Sequence, residues 1–595
     1  MRDRFFLGGI HAIWARADRE VSCRVVIPSA SSKRPSRSAR RMRCARLVGL
    51  SVRVRERLES LASWRFGAPV LFAISLGVYA LESIARPIGP GRDFGHYVLY
   101  YVELWDRQAV LPAVMLSRTP LTPLFVGGLL ELGGPFAEII LALLFAGSIL
   151  AWTAVARTFG GLAAVLTGVA LLAYPSYGML FHELASDSLF AAAFSFWALG
   201  LVRTARQPTT RRFAALGLGV ALLALIRPAN QVLLLAALFP LVLPGLWRQR
   251  LRWTALFLAA GFLPLAGWAV HNGVRYGSYA VIRGSSENFP FNRAFATDRI
   301  VSPDNGPASR ELARAVEQYL LPTQPYRGYG VDLKTFFSVG GIREHEDLIG
   351  LSDRVWGWDS DYSKLHAAGM EAVRKHPVAY VRGVLGTISY EFTRPRYIAT
   401  ESGGGQVAAG VEQTVVVRGR RLPAPSEGQP IPRTHQPDIF TTPDNRVRMV
   451  WSSPTQYRVV FRRSSDQRRY EQVMREVDEL GRRIVWRDGS STLALRFNQA
   501  THRYPPPVLW LAVGLLAAVI RRPRGIIALV ALAALGTIAV VFSALALSSE
   551  VAYLLPFAPA FIVLAIAGLL GEGGAPLRLP RRYRSRTSAD LPASL

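Results

Sequence analysis

Asp93 is the first acid beyond the first long apolar run, within GPGRDFGHYVLYY (residues 89–101). Gly89, Pro90 and Gly91 mark a turn just before it. A carboxylate there can act as a general base at the mouth of a membrane cavity. It can also be the N-cap of the helix that the spacing predicts from Phe94 to Trp105, accepting an amide N–H. The two roles are compatible. Tyr97, Tyr100, Tyr101 and Trp105 suit an interfacial aromatic belt, so they read as anchors ahead of chemistry, and His96 takes no priority.

Four further groups could bind a charged substrate. In HELASDS, Glu183 and Asp187 are four residues apart, which predicts one shared helix face. Asp187 stands at the entrance to an apolar run, where an acid is costly unless it faces protein or water. The plainer alternative is an N-cap by Ser186 or Asp187. His182 joins the substrate-binding candidates, although a histidine there is more often interfacial than a ligand. Arg227, in RPAN, cannot be neutralised and should seek an anion, either a lipid phosphate or a carboxylate such as Asp187. Its plainer alternative is snorkelling to the interface. Glu550 and Tyr553 in SSEVAYLLPFAP form the next pair, with a loop acid and a belt tyrosine as the alternative. Arg394 and Arg396 in EFTRPRY suit a phosphate at the membrane surface or are simply solvated. The chain carries no P-loop, Rossmann or HExxH pattern, so ATP-driven and zinc-hydrolase readings lack support.

The elements that must hold these residues are membrane helices. Half of the 595 residues are hydrophobic. They fall into about ten runs, many without an internal charge, near the ~20 residues that a spanning helix needs. The expected spans are 67–85, 138–156, 161–178, 188–202, 213–226, 230–246, 254–270, 506–520, 525–547 and 552–570. Residues 120–134 are apolar too, but a span there would invert everything downstream, so they read as an external or re-entrant lead-in. The formal charge of +29 does not indicate nucleic acid. The basic residues gather in short loops and tails beside apolar runs, as membrane orientation requires.

Those clusters set the orientation. Residues 1–66 are basic, lack an early apolar stretch and read as a disordered cytoplasmic tail rather than a signal peptide; a start at Met42 is an alternative. RTARQPTTRR (203–212), RQRLR (248–252), RRPR (521–524) and the tail 572–595 fall on the same side as that tail when spans alternate. Both termini are therefore expected in the cytoplasm. The expected external side holds the loop 86–120, the loop 175–187, the turn at Arg227 and an insert of about 271–503. The expected modules are 67–270 with its first external loop, the insert, and the C-terminal helices 504–571. Two cysteines, Cys23 and Cys44, give neither a disulfide framework nor a zinc spacing.

The insert is long enough for a soluble domain. Residues 309–321 and 361–392 pattern as helices, with Pro377 suited to a new first turn. SGGGQVAAG is a flexible stretch, while TVVVRG and YRVVFRR alternate like strands. The helix from Ser464 opens with a Ser464…Gln467 capping box. The fold class is thus a polytopic α-helical membrane protein with a large mixed α/β external domain.

This layout resembles the GT-C class of membrane glycosyltransferases, within the family of protein O-mannosyltransferases and lipid A aminoarabinose transferases. The resemblance is carried by GRDFGHY with RTPLTPLFVGGLLELGG, by ALLAYPSYGMLFHELASDSLFAAAFSFWALGL, by ALGLGVALLALIRPANQVLLL and by AAGMEAVRKHPVAYVRGVLG. SSEVAYLLPFAPAFIVLAIAGL is similar to the family's late E-x-R-Y-x-x-P segment, with the arginine replaced. Many relatives pair two acids in the first loop, whereas here Phe94 follows Asp93.

The resemblance implies an inverting hexosyl or pentosyl transfer from a polyprenyl-phosphate carrier to a glycan, lipid or protein acceptor on the outer face of the plasma (cell inner) membrane. It implies Asp93 as base and Arg227 as a phosphate contact. It names no cofactor and leaves a divalent cation open. The alternatives are a transporter or flippase of a lipid-linked sugar, and a non-catalytic envelope-assembly protein.

Overall fold

A computed structural model describes residues 67–105, 109–284, 288–339, 341–394, 414–417, 420–423, 442, 447–453, 456–546 and 553–571. All belong to one compact unit, Leu58–Leu595. The expected tails, Cys23, Cys44, the stretch SGGGQVAAG, Arg396 and Glu550 lie outside the described residues.

Uncharged apolar runs satisfy their own backbone in lipid only as helices. Among the described residues, six helices are long and apolar enough to cross a membrane: Gly67–Ala85, Gly134–Arg157, Ser186–Arg206, Trp247–Tyr276, Ser491–Arg521 and Ile526–Ala546. A seventh arises if Gly161–Leu172 and Pro175–His182, bent by 66° at their junction, form one span. The break falls just before Pro175, whose ring and missing N–H end a helical ladder. The remaining expected spans are shorter. Thr210–Ile226 has 17 residues, Ala558–Leu570 has 13, and Pro228–Val242 is a 15-residue 3-10 helix. At about 2 Å per residue that 3-10 helix is about 30 Å long, the thickness of a bilayer core. Leu121–Leu132 has 12 residues, or about 18 Å, too short to span.

The insert contributes two bodies of packing. Phe291, Phe295, Leu312, Val316, Tyr326, Phe336, Leu348 and Leu365 share an apolar core of their own. Helices Pro307–Ala315, Ile342–Trp356 and Ser363–Lys375 supply it. Pro377 opens the helix Pro377–Thr393, which lies against Ile526–Ala546.

The second body folds back over the segment between Phe94 and Ser117. Val447–Ser453 pairs antiparallel with Gln456–Phe461, and Ser464–Gly481 follows as a helix. Val459, Phe461 and Val473 then share a core with Leu99, Tyr100, Leu111 and Met115. Thr414–Val417 and Arg420–Pro423 form another antiparallel pair. The expected capping box is absent. Arg463 holds the N-cap position, and Gln467 Oε1 instead accepts from the Phe461 amide at 3.0 Å.

Candidate active site

The loop that carries Asp93 is pinned to the membrane half by backbone pairing. Gly89 and Pro90 lie parallel to Glu183 and Leu184. Gly91 packs so closely that an added Cβ would stand 2.5 Å from the Ala185 Cβ. Arg86 forms an ion pair with Glu183 beneath that bridge. Asp93 then adopts a left-handed backbone, φ 62°. That conformation is uncommon for a residue with a side chain, and surrounding structure must over-determine it.

The expected cap bond is not made. Asp93 precedes the helix Phe94–Leu104, but its side chain accepts no helix amide. Its Oδ2 instead lies 3.0 Å from Arg118 Nη2 and 4.0 Å from Arg92 Nε. Burial alone would push the Asp93 carboxyl up. The guanidiniums of Arg118 and Arg92, with His96, outweigh it and hold the group at about 2.

Arg118 is placed by the preceding short helix, Pro112–Ser117. Glu103 fixes that helix's approach by accepting the Val110 amide at 2.6 Å and the Leu111 amide at 3.2 Å. Burial pushes the Glu103 carboxyl up to about 7, even though both amides pull it down. Tyr97 lines the cavity and Tyr100 is fully buried, so neither is a belt residue. Trp105 is 72% exposed. The hairpin and helix of the insert bury the other side of this helix, a contact that spacing along 94–105 does not contain.

Arg227 sits between Ile226 and Pro228 in an extended conformation, as a residue before proline prefers. Thr122 Oγ1 donates to the Ile226 carbonyl at 2.7 Å, and Asn230 Nδ2 to the Leu223 carbonyl at 2.9 Å. The Arg227 guanidinium pairs with Asp187, both side chains being buried. Its Cζ lies 4.1 Å from the Tyr553 ring centroid, and Arg92 Cζ lies 5.4 Å from the same centroid. Arg227 Nη2 is buried and has no hydrogen-bond partner among the described residues.

These groups face one cavity of about 500 Å³. Arg92, Asp93, Tyr97, Arg118, Arg227 and Tyr553 line its membrane side. Arg283, Asn292, His345, Glu346 and Tyr362 line it from the insert. Arg283 is neutralised by Asp353, at 3.1 Å from Nη1, and its Cζ stacks 3.6 Å from the Trp358 ring centroid. The Arg283 amide also donates to the Leu116 carbonyl at 2.9 Å, tying the insert to the helix before Arg118.

The other expected site residues lie elsewhere. Glu183 and Asp187 do not share a helix face. Glu183 is extended and bridged to Gly89, and the helix begins at Ser186 behind an N-cap position held by Ala185. No Ser186 or Asp187 cap bond forms at that helix start. His182 is buried, stacked on Tyr79 at 4.3 Å, with Nε2 3.6 Å from Glu82 Oε2. Neither His182 nor Glu183 lines the cavity. Arg394 ends the helix Pro377–Thr393, its Cζ 4.7 Å from the Tyr390 ring centroid, and it too is outside the cavity lining. Among the described residues no three His, Cys, Asp or Glu side chains gather into a metal-ligand set.

Sequence reasoning missed Arg92, Arg118 and Arg283. A signal existed for the first two: they are arginines in a loop read as external, against the orientation bias that placed the other basic clusters.

The chain was compared with known proteins. Residues 117–271 match the model of the dolichyl-phosphate-mannose-protein mannosyltransferase family. No curated protein and no solved structure matches. The matched segment contains Arg118, Asp187 and Arg227, whereas Asp93 precedes it and Tyr553 follows it. That segment, about a quarter of the chain, is thus similar to a family of membrane mannosyltransferases, and it lies among helices apolar and long enough to cross a membrane.

Proposed function

We propose that this protein transfers a sugar from a polyprenyl-phosphate carrier to an acceptor on the outer face of the membrane, with inversion. The observation that carries this reading is one cavity holding a carboxylate, Asp93, among three arginines, Arg92, Arg118 and Arg227. Arginine forks match phosphate geometry. A phosphate among them keeps the carrier's tail in the bilayer while its sugar enters the cavity.

The acceptor's hydroxyl or amine attacks the anomeric carbon as Asp93 takes its proton. The bond from that carbon to the phosphate oxygen breaks, and the polyprenyl phosphate leaves. Arg92, Arg118 and Arg227 stabilise the charge that develops on the leaving oxygen. While Arg118 and Arg92 hold its charge, Asp93 is too acidic for an effective base at neutral pH. An arriving phosphate shares the charge of Arg118 and Arg92. Their pull on Asp93 weakens, and its basicity rises when the donor is in place.

Proteoliposomes supplied with labelled polyprenyl-phosphate mannose and an envelope fraction test the reading. Covalent transfer of label to the envelope material is expected. Carrier crossing the membrane unmodified would instead favour transport, and label left unmoved would favour a non-catalytic assembly role.

A further inference from the structure

Arg293 joins the insert to the membrane half beside the cavity. It is 1% exposed and follows Asn292, a cavity residue, on the helical segment Asn288–Thr297. Its Nε and Nη2 pair with the two carboxylate oxygens of Asp298 at 2.9 and 3.1 Å. Its Nη1 donates to the Ala544 carbonyl at 2.6 Å and to Thr387 Oγ1 at 3.1 Å. The Tyr380 hydroxyl donates to the next carbonyl, Leu545, at 2.6 Å.

Ala544 and Leu545 close the helix Ile526–Ala546. The last carbonyls of a helix have no partner within it, and its C-terminal dipole favours a cation. Arg293 and Tyr380 supply the donors and the charge. The fit is close. A Cβ on Gly383, in the helix that carries Thr387 and Tyr380, would stand 2.2 Å from Asp298 Oδ1 and 2.7 Å from Arg293 Nη2. Ala546, the residue after this clamp, lines the cavity, as does Tyr553 further along, whose ring lies against Arg227.

We propose that Arg293 is a positioning residue for the donor's phosphate. By holding the end of Ile526–Ala546, it sets where the chain returns to place Tyr553 on Arg227. The role rests on the function proposed above. It predicts that Arg293 and Tyr553 act as a unit, which a residue that merely held the insert together would not do.

A double-mutant cycle tests it, on the full chain in liposomes with labelled polyprenyl-phosphate mannose. The variants are Arg293→Lys, which keeps the charge but loses the fork, Tyr553→Leu, which removes the ring from Arg227, and both together. Arg293→Lys is expected to raise the donor KM about tenfold, with kcat within about twofold and little added effect in the Tyr553→Leu background. Effects that multiply, or an unchanged KM, overturn the proposal. If Arg293→Lys fails to fold, Gly383→Ala takes its place in the same cycle with the same expectations. If the wild type turns over no donor, the functional reading fails and amide hydrogen exchange decides the clamp. Faster exchange at 553–557 in the variant supports it, and equal exchange overturns it.

Discussion

Arg118 Nη2 lies 3.0 Å from Asp93 Oδ2, joining two residues across the helices Phe94–Leu104 and Pro112–Ser117 that lie between them. This pair, and not a helix cap, sets the charge and the direction of the Asp93 carboxylate. It also makes Asp93 and the cationic side of the cavity one coupled unit.

Replacing Arg118 with Gln should therefore release Asp93 toward the ordinary carboxylate range. With Asp93 held at about 2, the wild type keeps it ionised down to very acid pH. Without Arg118 the acid limb of the kcat/KM profile is expected to move up by about 1–3 pH units. A profile between about pH 3 and 8, measured with labelled donor, checks this: an acid limb enters that window in the variant and not in wild type. A variant profile as flat as wild type would mean that Arg118 does not tune the base.

Arg227 and Asp187 are 8% and 5% exposed at their side chains, so neither tolerates losing the other. Arg227→Ala should cost about 3–5 kcal/mol, because it strands a buried carboxylate. Arg227→Met with Asp187→Leu should recover most of that stability but not turnover, since the phosphate contact is still missing. Thermal unfolding in detergent, read beside donor turnover, separates the two effects.

Gly91→Ala tests the seat of the Asp93 loop. The new methyl would meet the Ala185 Cβ at 2.5 Å. The loop must shift, at about 1–3 kcal/mol. The loss of turnover should be far larger than the loss of stability, because about 1 Å of displacement at a reacting group can cost ~100-fold. Equal losses would show that the loop position matters to folding alone.

Glu103 gives a pH dependence of stability. Its carboxyl is at about 7 in the fold, against an ordinary 4.5, so the folded state holds its proton more tightly than the unfolded chain. The stability this contributes is complete below about pH 4.5 and is lost as pH rises through about 7, a change on the order of 3 kcal/mol. Glu103→Gln keeps an acceptor for the Val110 amide and cannot ionise. Its melting temperature should vary less than wild type between pH 5 and 8. Parallel curves for the two proteins would remove Glu103 as the cause.

Much of this architecture was legible in the residues. Apolar runs gave the helices, Pro377 opens the helix expected there, and Asp187 is the partner suggested for Arg227. What was hidden depends on contacts distant in sequence. The helix at Ser186 starts late because Glu183 and Leu184 are drawn into a bridge with Gly89 and Pro90. Tyr100 leaves the interface because Val459, Phe461 and Val473 cover it. Asp93 gives up its cap because a guanidinium from the other end of its loop competes for the carboxylate, and a charged bond is stronger than an amide one.

Asp93→Asn carries the most direct test of the central claim. The amide keeps the size of the side chain but cannot take the acceptor's proton. Purified variant in liposomes should match wild type in folding and in its KM for labelled polyprenyl-phosphate mannose. Transfer should fall by about 100-fold or more, the share typical of a general base. Transfer within a few-fold of wild type, in a folded Asp93→Asn protein, would contradict the account.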